Sequence, residues 1–232
     1  MEINLRQLLD IIKMSGGAYE PLTGFMNAED FISVVNCMRL VDGSPWTVPI
    51  ILNAPVSCEA TVGEEVALTF QGDHVASLKV DDVYEYDPTH YCQQVFGTVD
   101  DTHPSVMELM SMAPGAICGP IELLKIPTFP WTPYEMSPKA VRDEIRLRGW
   151  ETVAGFHTRN APHRAHEYLI RCCLELCDGV LIHPVVGVKK PGDATIEEIL
   201  SGYNELIDHY LPKDKIIFSP IAMASRYAGP RE

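Results

Sequence analysis

The sequence has no apolar run long enough to cross a membrane and no stretch with the layout of a secretory leader. Its opening, Met1 to Lys13, reads instead as an amphipathic helix with Leu5, Leu8, Leu9 and Ile12 on one face. These absences point to a cytoplasmic protein with no membrane partner. Cysteine is scattered. The seven residues, at 37, 58, 92, 118, 172, 173 and 177, form no Cys-x-x-Cys pair, and their number is odd. Reduced, mostly buried thiols follow, rather than a disulfide framework. Basic side chains are the other shortage: 18 Lys and Arg stand against 32 Asp and Glu, a net charge of −14. Nucleic-acid backbones need a broad basic surface, so nucleic acid is not the expected partner. There is no internal repeat and no low-complexity tract, which argues against a solenoid.

What charge there is falls unevenly. Residues 1–138 carry 19 acidic and 5 basic side chains, whereas residues 139–190 carry 9 basic and 6 acidic ones. An acidic body around a positive middle suits a small anion held locally. With 232 residues, 46% of them hydrophobic, the chain can bury one sizeable core or two small ones.

Two regions follow from the patterning. Residues 15–125 are rich in short β-branched or alternating runs: 48–52, 65–69, 75–80 and 83–86. Gln71-Gly72-Asp73 is a hairpin signal between two of them. A helix is expected over Ala28–Arg39, capped by Asn27, with Phe31, Val34, Val35 and Met38 on one face. This is a small barrel-like α+β domain without a catalytic cluster. Three prolines in Ile126–Pro133 make a stiff linker, and Ser137-Pro138 caps a helix that stops at Gly149. The boundary falls at 133/134, giving domains 1–133 and 134–232. From residue 150 strand and helix alternate: strand Thr152–Phe156, helix Pro162–Cys177, strand Gly179–Val186, helix about Ile196–Tyr210, strand Lys215–Ser219. This is the start of a parallel, doubly wound α/β sheet. Ligands of such sheets sit beyond the carboxyl ends of the strands, so His157–Asn160, Gly187–Asp193 and Pro220–Arg226 are expected to face one crevice.

The richest of these stretches runs from Thr152 to Leu169. An apolar strand ends in a polar turn, and Pro162 is expected to open the helix. Arg159, Asn160, His163, Arg164 and His166 crowd the turn. Free N–H groups, the positive helix end and cationic side chains there suit phosphate or sulfate. Arg159 can grip a tetrahedral oxyanion bidentately, and the Asn160 amide can hold a second oxygen without adding charge. His163 and His166 share a helix face. No third ligand stands at a convincing spacing and two arginines lie beside them, so no metal site is assigned. Imidazole donors there suit nucleotidyl transfer, stabilising charge on an α-phosphate and a leaving pyrophosphate. Gly187 and Lys189 could close over a phosphate tail, and Arg226 could add a cation.

With these residues in hand, the chain resembles the ATP sulfurylase (sulfate adenylyltransferase) family. Gly17–Met26 resembles its N-terminal signature, and Gly149–Tyr168 its catalytic one. Gly187–Asp193 and Arg226–Glu232 match two further segments in order. The resemblance implies a PUA-like domain followed by a Rossmann-like catalytic domain, commonly oligomeric, joining sulfate to the α-phosphate of ATP. It implies ATP as substrate, with Mg, and no tightly bound cofactor. By resemblance Thr158, Arg159 and Asn160 are catalytic. Arg159 would bind sulfate and the α-phosphate, Asn160 would hold phosphate oxygens, and Thr158 would act through its backbone and hydroxyl. His157, His163, His166, Gly187, Lys189 and Arg226 complete the substrate- and nucleotide-binding set.

Two departures follow. The family's Gln-x-Arg-Asn stands here as His157-Thr158-Arg159-Asn160, which bears on the choice of oxyanion. The family also has an opening segment before Met1, and continues past the position of Glu232 with a Gly-Arg-Asp-His-Ala-Gly segment. The chain is therefore expected to be a fragment, a split or truncated product, or a degenerate relative. It would act as a homo-oligomer or with a chain supplying the rest. The alternatives are a non-catalytic anion- or nucleotide-binding or assembly module, and a nucleotidyltransferase for a related oxyanion.

Overall fold

Local sequence choices account for most helix starts. Asn27, Asp87, Ser137 and Thr195 each turn a side-chain oxygen back onto a free N–H of the helix they precede. Thr195 and Glu198 complete a reciprocal capping box. The computed structural model describes residues 1–54, 60–188 and 192–231, which divide into two compact units.

The first unit comprises Met1–Ser15, Tyr19–Ile126 and Ser225–Glu232. Its elements are α1 (Leu5–Ser15), β1 (Gly24–Phe25), α2 (Ala28–Cys37), β2 (Leu52–Ala54), β3 (Glu65–Phe70), β4 (Asp73–Lys79), β5 (Asp82–Glu85), α3 (Pro88–Val95), α4 (Pro104–Ser111) and β6 (Gly115–Leu123). One antiparallel sheet is organised around β6, which pairs with β1, β2, β4 and β5, while β3 pairs with β4. The expected barrel is therefore a branched six-stranded sheet, with no closed ring of strand pairs among the described residues. The hairpin at Gln71-Gly72 is present, and both residues adopt the positive φ that a two-residue turn matched to strand twist requires. The expected strand at 48–52 shifts to β2, because pairing with β6 begins only at Leu52. β6 itself was hidden in the sequence by Gly119-Pro120. Leu8, Leu9 and Ile11 of α1, Val34 of α2, Leu68, Leu78 and Ile117 fill the core.

The second unit comprises Gly16–Ala18 and Pro127–Ala224. It contains α5 (Pro138–Leu147), β7 (Val153–Thr158), α6 (Arg164–Leu176), β8 (Gly179–Val188), α7 (Ile196–Tyr210), β9 (Ile216–Phe218) and β10 (Ile221–Ala224). β8 is the central strand. β7 runs parallel along one side, and β9 and β10 follow one another, also parallel, along the other. Asp178 accepts from the backbones of Glu151 and Thr152 and from the Thr152 hydroxyl, fixing the start of β7. Those bonds hold its carboxyl below the usual range. α6 and α7 lie side by side: Arg171 donates to the Tyr210 carbonyl at 2.5 Å. A Cβ on Gly202 of α7 would come within 2.8 Å of Pro162.

Three sequence expectations change here. β7 continues through Thr158, because His157 and Thr158 stay in register with His183 and Pro184; both are strand residues. α6 begins at Arg164, since the side chain that caps it is His163, leaving Pro162 in the loop against α7. The third strand is broken into β9 and β10 at Ser219-Pro220. Ile216 and Ile217 are buried. Met136 donates to the Ser219 hydroxyl, Glu135 accepts from the Ala222 N–H, and Tyr134 meets Phe218 edge-on, so residues 134–136 cover that edge.

Candidate functional site

The turn after β7 is built by short local bonds. The Asn160 N–H donates to the Thr158 hydroxyl at 3.2 Å, closing the chain as it leaves the strand. Arg159 and Asn160 are exposed and Thr158 is half-buried. His163 then caps α6: its Nδ1 accepts from the Ala165 N–H at 3.2 Å. A nitrogen that accepts carries no proton, so the neutral ring holds its hydrogen on Nε2. The exposed His163 is thereby preset as an N–H donor, the polarity a phosphate oxygen needs.

His166 lies one turn on, stacked against His163 with centroids 3.8 Å apart, and meets Phe156 of β7 edge-on. It is 9% exposed, and its Nδ1 has no hydrogen-bond partner among the described residues. Burial first, and then the neighbouring His163, lower its pKa, against an opposing bond to the Ala161 backbone. A buried, unpaired nitrogen beside a helix N-terminus is polar capacity reserved for a ligand or water.

His157 lies on the other side of the strand. Side chains alternate along β7, so Phe156 turns to α6 and His157 away from it. Its Nδ1 donates to the His183 carbonyl at 2.9 Å, and the His183 Nδ1 donates in turn to the Ser219 carbonyl. The two rings stand 5.8 Å apart across the register pair. Thus the His163/His166 stack and the His157/His183 pair flank the end of β7, with Arg159-Asn160 between them in sequence.

The remaining predicted residues separate. Gly187 is half-buried near the end of β8, paired with Met223 of β10. Lys189 lies outside the described residues. Arg226 belongs to the first unit. There its guanidinium pairs with Asp10 at 2.6 Å, while Tyr19 donates to the same carboxylate at 3.3 Å. Burial alone would lower the Arg226 pKa, but Asp10, Tyr19 and Tyr91 outweigh it and raise it. Tyr19 is pushed up to about 12 by burial and Asp10. Arg226 also lines a small cleft of that unit with Arg6, Asp10, Tyr91, Ser105 and Glu108, of about 50 Å³. Sequence reasoning missed His183, although an imidazole inside the apolar run Val180–Val186 was a legible signal. It also missed Asp10, which α1 buries on the same side as Gln7 and Lys13.

Comparison with known proteins places these features. A PUA-like domain model matches residues 1–126, and an ATP-sulfurylase model matches residues 132–232. The sulfate adenylyltransferase of Hyperthermus butylicus is 42% identical over 96% of this chain and 58% of its own length. That of Deinococcus radiodurans is 38% identical over 100% of this chain and 60% of its own length. The chain thus spans about three fifths of the length of these relatives. Among solved structures, a hexameric APS kinase from Thiobacillus denitrificans matches with a TM-score of 0.75 at 22% identity, covering 100% of this chain and 43% of that one. That likeness speaks for the fold. No described helix is long and apolar enough to cross a membrane. Residues 1–126 thus form a PUA-like domain, and residues 132–232 a parallel-sheet α/β domain that belongs to the ATP-sulfurylase family.

Proposed function

We propose that this chain carries the oxyanion- and phosphate-binding part of a sulfate adenylyltransferase, which converts ATP and sulfate to adenylyl sulfate and pyrophosphate. The observation that carries the reading is the preset donor geometry at the start of α6: His163 capping the helix with Nε2–H outward, stacked on His166, directly after Arg159-Asn160. A sulfate oxygen attacks the α-phosphorus, the bond to the β-phosphate oxygen breaks, and pyrophosphate leaves. No covalent enzyme intermediate is required. The protein's work is to hold two anions together and to stabilise the charge that builds on the leaving group.

In this reading Arg159 bridges sulfate and the α-phosphate, Asn160 and Thr158 hold oxygens at the turn, and His163 and His166 serve the leaving phosphates. Gly187 and Lys189 are assigned to the phosphate tail, and His157 to the acceptor side. ATP enters as its Mg complex, with the metal carried on its phosphates as part of the substrate. The functional division falls at 133/134, the enzyme is cytoplasmic, and it acts as an oligomer or with a companion chain. Exposed apolar side chains on α6, namely Tyr168, Leu169 and Leu176, support assembly.

The test is sulfate-dependent pyrophosphate release from ATP, together with calorimetric binding of sulfate and ATP. Arg159→Ala is expected to abolish anion binding and leave the fold intact. Unchanged binding in that variant, or no binding of either substrate by the wild type, overturns the reading.

A further inference from the structure

We infer that His157 makes the acceptor site selective for the protonation state of its oxyanion: it accepts a hydrogen bond from a protonated tetrahedral anion, and it takes fully deprotonated sulfate only together with a proton. This rests on the adenylyltransferase reading of the site but goes beyond it.

The argument starts from one hydrogen bond. A main-chain carbonyl has no hydrogen to give, so the His157 Nδ1 facing the His183 carbonyl at 2.9 Å must be the donor. In the neutral ring Nε2 is then bare and offers a lone pair. The choice of tautomer is not free, because β7 and β8 are in register at this pair and the ring is held between them. The carbonyl belongs to a residue whose own ring is anchored the same way, on Ser219 one strand further on. Two paired strands and the break between β9 and β10 therefore cooperate to orient an exposed imidazole with its acceptor side outward.

That polarity is opposite to His163, where Nδ1 accepts and Nε2 donates. On the α6 side of β7 the site presents an N–H to phosphate oxygens. On the other side it presents a lone pair. An oxyanion bearing an O–H, such as hydrogen phosphate or hydrogen arsenate, can donate to that lone pair while its bare oxygens meet Arg159. Sulfate has no hydrogen to donate, so an oxygen set against neutral Nε2 is two acceptors face to face. The mismatch is relieved when Nε2 gains a proton, which turns the ring into a double donor still bonded to His183. A glutamine at this place would avoid the constraint, since its amide offers N–H and carbonyl together.

The groups around His157 are few. From β8, the one strand paired with β7 among the described residues, His183 faces it with its ring 5.8 Å away. Along its own chain Arg159 follows two residues on. α6 approaches from the opposite side, where His166 meets Phe156. A proton taken up at His157 therefore meets the His183 ring and cationic Arg159, and the dianion between them offsets the added charge.

The experiment is calorimetry of sodium sulfate and sodium phosphate binding to the full chain at pH 8, where inorganic phosphate is mainly the singly protonated dianion. Each titration is run in buffers of differing ionisation enthalpy, so that the slope counts protons. The expected result is net proton uptake with sulfate, up to one per site, and essentially none with hydrogen phosphate. His157→Gln should abolish the uptake and shift the sulfate-to-phosphate affinity ratio toward sulfate by about tenfold, the scale of one mismatched hydrogen bond at an exposed site. Sulfate binding without proton uptake in the wild type, which needs no variant, overturns the inference while leaving the adenylyltransferase reading standing. Equal uptake in His157→Gln overturns it too. If the wild type binds neither anion, both readings fall.

Discussion

Arg226 offers a sharp test, because sequence and structure give it different work. Its place in the chain suggests a nucleotide-binding cation, whereas the first unit buries it against Asp10. Arg226→Ala would strand the Asp10 carboxylate, 2% exposed beside its arginine, with the Tyr19 hydroxyl at 3.3 Å still in place among the described residues. Breaking a buried pair from one side costs about 3–5 kcal/mol, because the surviving charge is stranded out of water. For a chain of this size that is a melting shift of roughly 6–20 °C. Asp10→Asn combined with Arg226→Met removes both charges together, so the double variant should be more stable than Arg226→Ala by at least about 1 kcal/mol. Urea unfolding followed by tyrosine and tryptophan fluorescence reads all three proteins. If Arg226→Ala loses less than about 1 kcal/mol and nucleotide affinity falls instead, Arg226 belongs to the ligand and the buried pair is not a structural anchor.

The other expectations are shorter. His163→Ala should cost about 1 kcal/mol as a lost helix cap, whereas His163→Asn should keep the cap and still lose phosphate affinity. Equal ligand binding by wild type and His163→Asn would remove the imidazole from the site. His166 has a folded pKa below its unfolded value, so the unfolded chain takes up the proton first. Stability should therefore be full above about pH 6.5, fall as pH drops through that value, and level off below the folded value. A pH series of melting temperatures in wild type and His166→Phe, the latter lacking that slope, checks it. Gly179→Ala would place a Cβ 2.3 Å from the Trp150 ring, so the indole must move. A loss of about 1–3 kcal/mol with altered tryptophan emission is expected, and an unchanged spectrum would contradict the packing.

Where the sequence was legible, the signal was local. Asn27 and Ser137 announced their helices because a capping oxygen acts within three residues. Gln71-Gly72 announced its hairpin because the glycine takes one of the turn's two positive φ values without steric cost. The strand-turn-helix after Val153 was legible because an apolar run meets a dense polar turn. What escaped depends on partners far along the chain. β6 contains Gly119-Pro120 and holds its sheet together only through four neighbours it meets in three dimensions. The end of β7 was placed too early, since the pairing of His157 with His183 is set 26 residues away. Arg226 and Asp10 lie 216 residues apart, and no periodicity in either segment reports the other.

The same distinction separates the two kinds of histidine at the candidate site. The i,i+3 spacing of His163 and His166 announced that the two rings meet, and the structure stacks them, although His163 is the extended cap before α6 and not a residue of its first turn. Their donor polarity, however, comes from the cap bond to Ala165, which spacing alone does not specify. For His157 even the side of the strand it occupies is decided by Phe156 packing against α6, and its polarity by a carbonyl on the adjacent strand. A residue's identity therefore fixes only what it can do. At this turn two imidazoles six residues apart are wired to opposite polarity, one outward donor and one outward acceptor, by backbone groups that carry no sequence information of their own. Substituting either histidine by a residue of fixed polarity, Asn or Gln, probes that wiring directly, because the backbone partner stays while the ring's choice of tautomer is removed.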